Sequence, residues 1–304
     1  MSVNNNIYLG IGNVSKSQNL GLYYQDFTPA IYHFENNSLG GFDDKGIPYI
    51  IDNGISFYSV IAIIQYGIIQ HDLYLKDKDE SRKEILLNCL NWLDSKSETF
   101  NDSLIWRSEK NTQYNLDKGW TSAMYQGQAI SLYLRAFQLF DEPKYLHISE
   151  KAFNYFKFDF LEGGAKRVDR NGYIWLEEYP TNPPSFVLNG FVYAVLGVLD
   201  LFRVTGNTDA KKLYDSCIET LIKNIYKYDI WYWTRYDQLK KELVSYYYQK
   251  NVHIPLVKIL YLLTSEPCFD HLDKKWSKQL NNKFGYLLVQ LMYRIQPRIK
   301  KLKS

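Results

Sequence analysis

Three clusters of side chains in this chain have the types and spacing to do chemistry. The first is WLEEYPTNPPSFVLNGF, Trp175 to Phe191, in which Glu177, Glu178 and Tyr179 stand side by side ahead of three prolines and an apolar run. Neighbours in an extended strand point to opposite faces, so only one of the two glutamates can face a given cavity; Trp175 and Glu177 share one face, Ile174, Leu176 and Glu178 the other. Each proline fixes its own φ and restricts the residue before it, which makes Tyr179-Pro180 and Asn182-Pro183-Pro184 a stiff loop. Ser185 is then placed to cap the helix that begins FVLNGF. The second cluster, WYWTRYD from Trp231 to Asp237, sets an arginine among aromatic rings, with Tyr232 and Arg235 three residues apart. A guanidinium there suits two-pronged binding of a carboxylate while rings stack on sugar faces; an arginine stacked in an exposed hairpin would be written the same way. The third, SYYYQKNVHIP from Ser245 to Pro255, carries three consecutive tyrosines and His253 into a helix. A phenol, with an ordinary pKa of about 10, exchanges protons near neutrality only when a nearby cation pulls it down. His253 is the other titratable group, and it reads equally as a structural histidine at a helix start.

The elements that must position these clusters are helices in pairs. Helical periodicity runs over Phe57–Lys76 and Glu80–Ser97, Gly119–Phe140 and Glu142–Phe158, Val187–Val204 and Asp209–Tyr226, and Val252–Thr264 and Pro267–Asn281. The second and third pairs superimpose at one constant offset, Ala129 on Ala194, Leu134 on Leu199, Phe137 on Phe202, Ile148 on Leu213 and Ala152 on Cys217, which marks a repeated helical hairpin. In the turns, Pro143 opens a helix, Gly206 stops one and Thr208 caps the next. Residues 163–178 read as two strands joined at Asn171-Gly172. Residues 1–56 read as strands and turns laid over the helices, 57–285 as the helical body, and 286–304 as a basic tail. Four hairpins with long inserted loops predict a mainly α fold, an (α/α) toroid whose rim loops and inner-helix starts surround an open cavity.

Composition narrows the partners. With 36 basic and 33 acidic residues the formal net charge is +3, too balanced for a nucleic-acid partner. Cys89, Cys217 and Cys268 are far apart and read as reduced core residues. The start of the chain lacks a basic region followed by an apolar run, and Tyr58–Ile69 is too short to span a bilayer, so a cytoplasmic protein is the expectation. The tail from Lys283 is basic and amphipathic, fitting a last helix packed on the body or a peripheral contact with an anionic membrane. Aromatic residues make up 16% of the chain, including 27 tyrosines, which suits a cleft that stacks sugar rings as well as a core. No phosphate loop, HExxH, paired CxxC or GxSxG elbow occurs, which argues against nucleotide, metalloprotease and serine-hydrolase chemistry.

Two long motifs, GWTSAMYQGQAIS from Gly119 and EEYPTNPPSFVLNGFVY from Glu177, followed by Tyr-x-x-Arg and Tyr…His-Ile, give the chain from about Tyr49 to Leu280 a specific likeness. It resembles the D-glucuronyl C5-epimerase family, which acts on uronic-acid polysaccharides of the heparosan type. The resemblance implies an α/α toroid that inverts carbon 5 of D-glucuronate to L-iduronate within a polysaccharide or glycoconjugate. It implies catalytic roles for Glu178, Tyr179, Tyr232, Arg235 and Tyr248, with Tyr247 the alternative to the last. Trp120, Gln126, Gln128, Asn189, Trp231 and His253 are expected to contact substrate. No redox cofactor is expected; a divalent cation in the N-terminal region and a homodimer stay open. The large N-terminal portion and membrane anchor of the animal enzymes have no counterpart in these residues.

The chemistry accounts for such residue types. The C5 hydrogen lies α to a carboxylate, so its removal makes an enediolate bearing two negative charges, which Arg235 with Tyr179 and Tyr232 would pair. Inversion needs proton carriers on opposite ring faces, here Glu178 and Tyr248. Rival readings are a β-eliminating uronate lyase, a glycoside hydrolase that recruits Asp237 as its second carboxylate, and an acidic-glycan-binding protein without turnover.

Overall fold

The computed structural model describes residues 7–36, 40–52 and 54–303, with side chains described to residue 293. The chain forms an α/α toroid. A helical turn α1 (Ile31–Glu35) leads into a three-stranded antiparallel sheet of β1 (Gly40–Phe42), β2 (Pro48–Asp52) and β3 (Ile55–Phe57). Helices α2 (Val60–Asp77) and α3 (Glu80–Lys96) form the first hairpin, followed by the ribbon β4 (Ser97–Phe100) and β5 (Ser103–Trp106). Helices α4 (Ala123–Phe140) and α5 (Pro143–Asn154) form the second, followed by the ribbon β6 (Lys166–Val168) and β7 (Ile174–Leu176). The third is α6 (Leu188–Thr205) with α7 (Thr208–Asn224). A short α8 (Tyr246–Tyr248) and a π turn over Gln249–His253 precede the fourth, α9 (Ile254–Thr264) with α10 (Pro267–Asn281), and α11 (Lys283–Lys303) ends the chain.

The expected pairs are all present, and the differences lie at their ends. Pro143 occupies the first turn of α5 and Gly206, at φ 71°, terminates α6. The cap of α7 is Asn207, whose side chain accepts from the Asp209 and Ala210 amides; Thr208 is already helical. Ser185 does not cap α6 either. Its hydroxyl serves Glu177 and the Tyr179 carbonyl, and α6 starts three residues later without a side-chain cap.

Helices α2, α4, α6 and α9 are the apolar, buried members of their pairs, and α3, α5, α7 and α10 are amphipathic and lie outside. The tightest crossing joins α4 to α6 through glycines: a Cβ on Gly127 would lie 2.4 Å from the Ala194 Cα. Helix α6 is long and apolar enough to cross a membrane, yet 83% of that stretch is buried inside the toroid. Cys89 and Cys217 are free and buried, and Cys268 is free and half-buried.

Residues 7–30 are only partly what the expectation of overlying strands described; residues 1–6 fall outside the description. This segment crosses the C-terminal ends of α2, α4 and α6. The Tyr23 amide donates to Asp72, the Leu20 amide to Gln138, and the guanidinium groups of Arg135 and Arg203 donate to the carbonyls of Gly21 and Ser17. Further along, Gln25 bonds the Asn251 carbonyl, accepts from the Tyr193 hydroxyl at 2.6 Å, and so ties α6 to the turn before α9. The segment therefore crosses the ring at its C-terminal end, and its Leu9, Phe27 and Ala30 reach the inner-helix N-termini.

Helix α11 packs Val289, Tyr286 and Met292 against Trp233 and turns Phe284, Leu287 and Leu291 outward, each more than half exposed.

Candidate active site

The site lies where β7 runs into α6. The parity argument holds for the two glutamates. Glu177 points away from the cavity: Arg167 donates to it at 3.1 Å, as do the Ser185 hydroxyl at 3.0 Å and the Phe186 amide at 3.1 Å. Phe186 adopts a left-handed φ of 45°, a conformation costing about 1–2 kcal/mol. It is held there by stacking on Trp175 at 4.3 Å and by the Tyr228 hydroxyl on its carbonyl. This tight turn lets the chain reverse from the loop straight into α6 and aims Glu178 at the helix start.

Glu178 is 5% exposed and has no cation among the groups that act on it most strongly. The Tyr236 hydroxyl donates to Oε1 at 3.2 Å, while Oε2 has no hydrogen-bond partner among the described residues. Desolvation pushes the carboxyl up to about 7; Tyr179, Tyr236, the Gly190 amide and Asn189 favour the charged form and hold it from rising further. Gly190 is required there, because a Cβ on it would lie 2.2 Å from Glu178 Oε2.

Tyr248 enters from the short helix before α9, the inner helix of the next hairpin. Its hydroxyl is buried and unpartnered among the described residues, and burial followed by the charge of Glu178 pushes its pKa well above the ordinary value. The π turn that aims it is pinned by Thr234, which contacts Gln249 at 3.0 Å and His253 Nδ1 at 2.9 Å, and by Gln249 reaching Gln279. The Tyr236 ring stands edge-on to Tyr248 at 5.5 Å, so one phenol touches both Glu178 and Tyr248. Glu178 and Tyr236 lie behind the wall of a cavity of about 320 Å³ that Tyr248 and Asn189 face. The cavity is lined by Tyr248, Tyr247, Asn189, Met124, Gln65 and His33, with Leu9, Phe27 and Ala30 of the N-terminal segment at its apolar side. Beyond Glu178, Tyr179 stacks on Tyr114 at 4.1 Å and meets Trp120 at 5.4 Å.

Comparison with known proteins meets this geometry at the same residues. Residues 67–278 match the family described as D-glucuronyl C5-epimerase C-terminus. The chain belongs to this epimerase family. A D-glucuronyl C5-epimerase of Caenorhabditis elegans is 33% identical over 207 residues, covering 61% of this chain but 33% of the nematode protein. The chain thus matches about a third of that relative's length. An uncharacterised protein of Methanocaldococcus jannaschii is 27% identical over 281 residues, covering 82% of this chain and 88% of its own. Among solved structures, a D-mannose isomerase superimposes with a TM-score of 0.51 at 12% identity, over 82% of this chain and 65% of that one, which places the fold among α/α toroids.

Set against the family-derived expectations, the structure brings Glu178, Tyr179, Tyr248 and Asn189 together. It does not bring Tyr232 and Arg235 to them. The Ile230 amide donates to the Trp233 carbonyl and Asp229 pairs with Thr234, so Trp231 and Tyr232 sit at the tip of a tight turn. Trp231 is 69% exposed, and Tyr232 packs with the Trp233 cluster. Arg235 lies between the two inward side chains Thr234 and Tyr236, and its guanidinium has no hydrogen bond or ion pair among the described residues. Gln126 is turned outward to the Leu104 and Ala152 carbonyls; Gln128 lies beneath the cavity on Gln65. His253 is fully buried behind Tyr248, at 5.3 Å between rings, and burial pushes its pKa down to about 3, so it is a neutral support and does not line the cavity. Asp237 is occupied by the Lys240 and Lys241 amides and by the Tyr114 hydroxyl.

The residue the sequence reading passed over is Tyr236. Its signal was available: in an extended segment it shares a face with Thr234, two residues away.

Proposed function

We propose that this protein is a carbohydrate epimerase that inverts carbon 5 of D-glucuronate residues in a polysaccharide or glycoconjugate, by proton removal and return. The observation that carries the reading is a carboxyl and a phenol, Glu178 and Tyr248, each with a buried oxygen that has no partner among the described residues, and linked by Tyr236. With its pKa near 7, Glu178 can take the C5 proton at neutral pH; Tyr248, held neutral, returns one from the other face. The C5–H bond breaks towards Glu178, a new C5–H bond forms from Tyr248, the substrate keeps all its other bonds, and proton exchange with water then returns the carboxylic acid and the phenolate to carboxylate and phenol. Tyr179 and Tyr236, the phenols beside Glu178, are the donors offered to the developing enediolate. A hydrolytic reading requires a second cavity carboxylate, and Asp237, the one candidate, is spent on backbone amides.

The deciding experiment is a proton spectrum of a heparosan-type polymer incubated with the protein in deuterated water. Deuterium at carbon 5, with L-iduronate signals, is the expected result; unsaturated product or new reducing ends without exchange would overturn it.

Two further outcomes follow from the site. In Tyr236→Phe, Glu178 loses a donor to its charged form worth about 1.5–3 kcal/mol. Its pKa then rises, so the pH at which kcat/KM reaches half its plateau moves up by about one to two units and the neutral-pH rate falls by roughly fivefold or more. An unmoved profile would remove Tyr236 from the proton path. In the wild-type protein kcat/KM rises with pH through about 7, because the carboxylate form of Glu178 is the base. A rate that falls across that range would reverse the assignment of base and acid for this direction.

A further inference from the structure

A second cavity, of about 470 Å³, opens beside the first and is separated from it by the junction of β3 with α2. Ser59 and Ile61 line the catalytic cavity, whereas Phe57, Tyr58 and Val60 line this groove. On its other side Ser108 and Gly119 form the wall. Ser108 meets the Tyr125 hydroxyl at 3.3 Å, and Trp120, next to Gly119, touches Tyr179. The two cavities are therefore neighbours along one rim.

The groove combines two kinds of group. Tyr58, 40% exposed, and Trp92, half-buried, present rings 5.6 Å apart. Lys96, Arg107 and Lys118 supply positive charge. Arg107 is engaged with Glu98 at 2.7 Å and Lys118 with Glu109 at 2.8 Å, but Lys96 is exposed and has no ion pair or hydrogen bond among the described residues. An aromatic platform with one uncommitted ammonium matches a sugar ring bearing an acidic substituent.

We propose that this groove is a glycan subsite adjoining the reacting residue, where Tyr58 and Trp92 stack a pyranose of the same chain and Lys96 pairs with its carboxylate. The proposal rests on the uronate reading of the catalytic cavity, and it makes the substrate a chain of several residues with acidic units close together.

The test measures binding of heparosan-type trisaccharide and octasaccharide by calorimetry, alongside C5 deuterium exchange, for wild type, Trp92→Ala and Lys96→Gln. Both variants are expected to bind octasaccharide about tenfold and about threefold more weakly, to bind trisaccharide unchanged, and to show unchanged exchange per bound trisaccharide. Lys96→Gln is also expected to flatten the salt dependence of octasaccharide binding. Lys96 is exposed on the last turn of α3, so its variant keeps the wild-type unfolding midpoint and guards against misfolding as the cause. Wild-type exchange with octasaccharide affinity unchanged in both variants overturns the subsite and leaves the epimerase reading standing. Variant-sensitive octasaccharide binding without exchange in the wild type supports the subsite and overturns epimerisation. Equal losses on both oligosaccharides, or no binding of either by wild type, overturn the subsite.

Discussion

Glu178→Gln is expected to lower C5 deuterium exchange about a thousandfold, within the range that positioned acid–base groups contribute, while raising stability at alkaline pH. The amide keeps the size of the carboxyl and can still accept from Tyr236, but cannot carry the proton. The stability change has a definite sign. A carboxyl whose folded pKa, about 7, stands above its ordinary 4.5 favours the fold in its protonated form. Its contribution is complete below the unfolded value and is lost as pH rises through the folded one, by roughly 3 kcal/mol for a shift of that size. The glutamine is neutral throughout, so the variant should unfold at a higher temperature than wild type at pH 8, with little difference at pH 4.5. Part of the pH dependence will persist in the variant, because burial raises Glu177 as well. Thermal unfolding of both proteins at the two pH values, with exchange at pH 7.5, checks the pair of effects. A variant that retains exchange removes Glu178 from the chemistry; one that is inactive and also less stable at pH 8 shows that the carboxylate is structurally paired instead of desolvated.

What the sequence disclosed about this site, and what it hid, follows from the range of the forces involved. The hairpins were legible because each inner helix must bury a continuous apolar surface and each outer helix one face, a demand written every three to four residues. That Glu177 and Glu178 point opposite ways was legible for the same local reason, since adjacent strand residues cannot share a face, but the choice of Glu178 came from the family resemblance. Tyr232 and Arg235 were taken from the Tyr-x-x-Arg of the family resemblance, but the segment is a turn followed by an extended stretch. There the period is two, and Thr234 with Tyr236 face inward. The cap of α7 shifted by one residue, a matter of which side chain first reaches a free amide. Ser185 was drawn off by Glu177, a competitor eight residues away that no capping rule contains. The course of residues 7–30 was hidden most fully. Nothing periodic marks it, since its place is set by main-chain carbonyls that accept from side chains more than a hundred residues later.

That segment supplies the second large effect, which centres on Asp200. The aspartate is fully buried: Oδ1 accepts from the Tyr24 hydroxyl at 2.6 Å and from Arg203 at 3.2 Å, and Oδ2 from the Ser131 hydroxyl and Arg135, both at 2.7 Å. The two guanidinium groups also donate to carbonyls of the N-terminal segment, Ser17 and Asn19 from Arg203, Gly21 and Leu22 from Arg135. Asp200 thus bonds both buried cations that hold the segment in place, with the charge of Asp72 also acting on Arg135. Replacing this network whole by apolar residues need not cost stability, but removing one partner strands the others, at about 3–5 kcal/mol. Asp200→Ala is therefore expected to lower the unfolding temperature by roughly 10 °C, and Asp200→Asn, which keeps an acceptor without the charge, by less. Because Leu9, Phe27 and Ala30 line the catalytic cavity, the loss should reach function. Limited proteolysis should cut within residues 7–30 before any other region, and KM should rise while the pH at half-maximal rate, set by Glu178, whose hydrogen-bonding neighbours lie outside the segment, stays fixed. Global unfolding without early cleavage would make Asp200 a general core residue. An unchanged melting temperature would mean that the arginines find water once the segment lifts, and that the ring holds its shape without the segment.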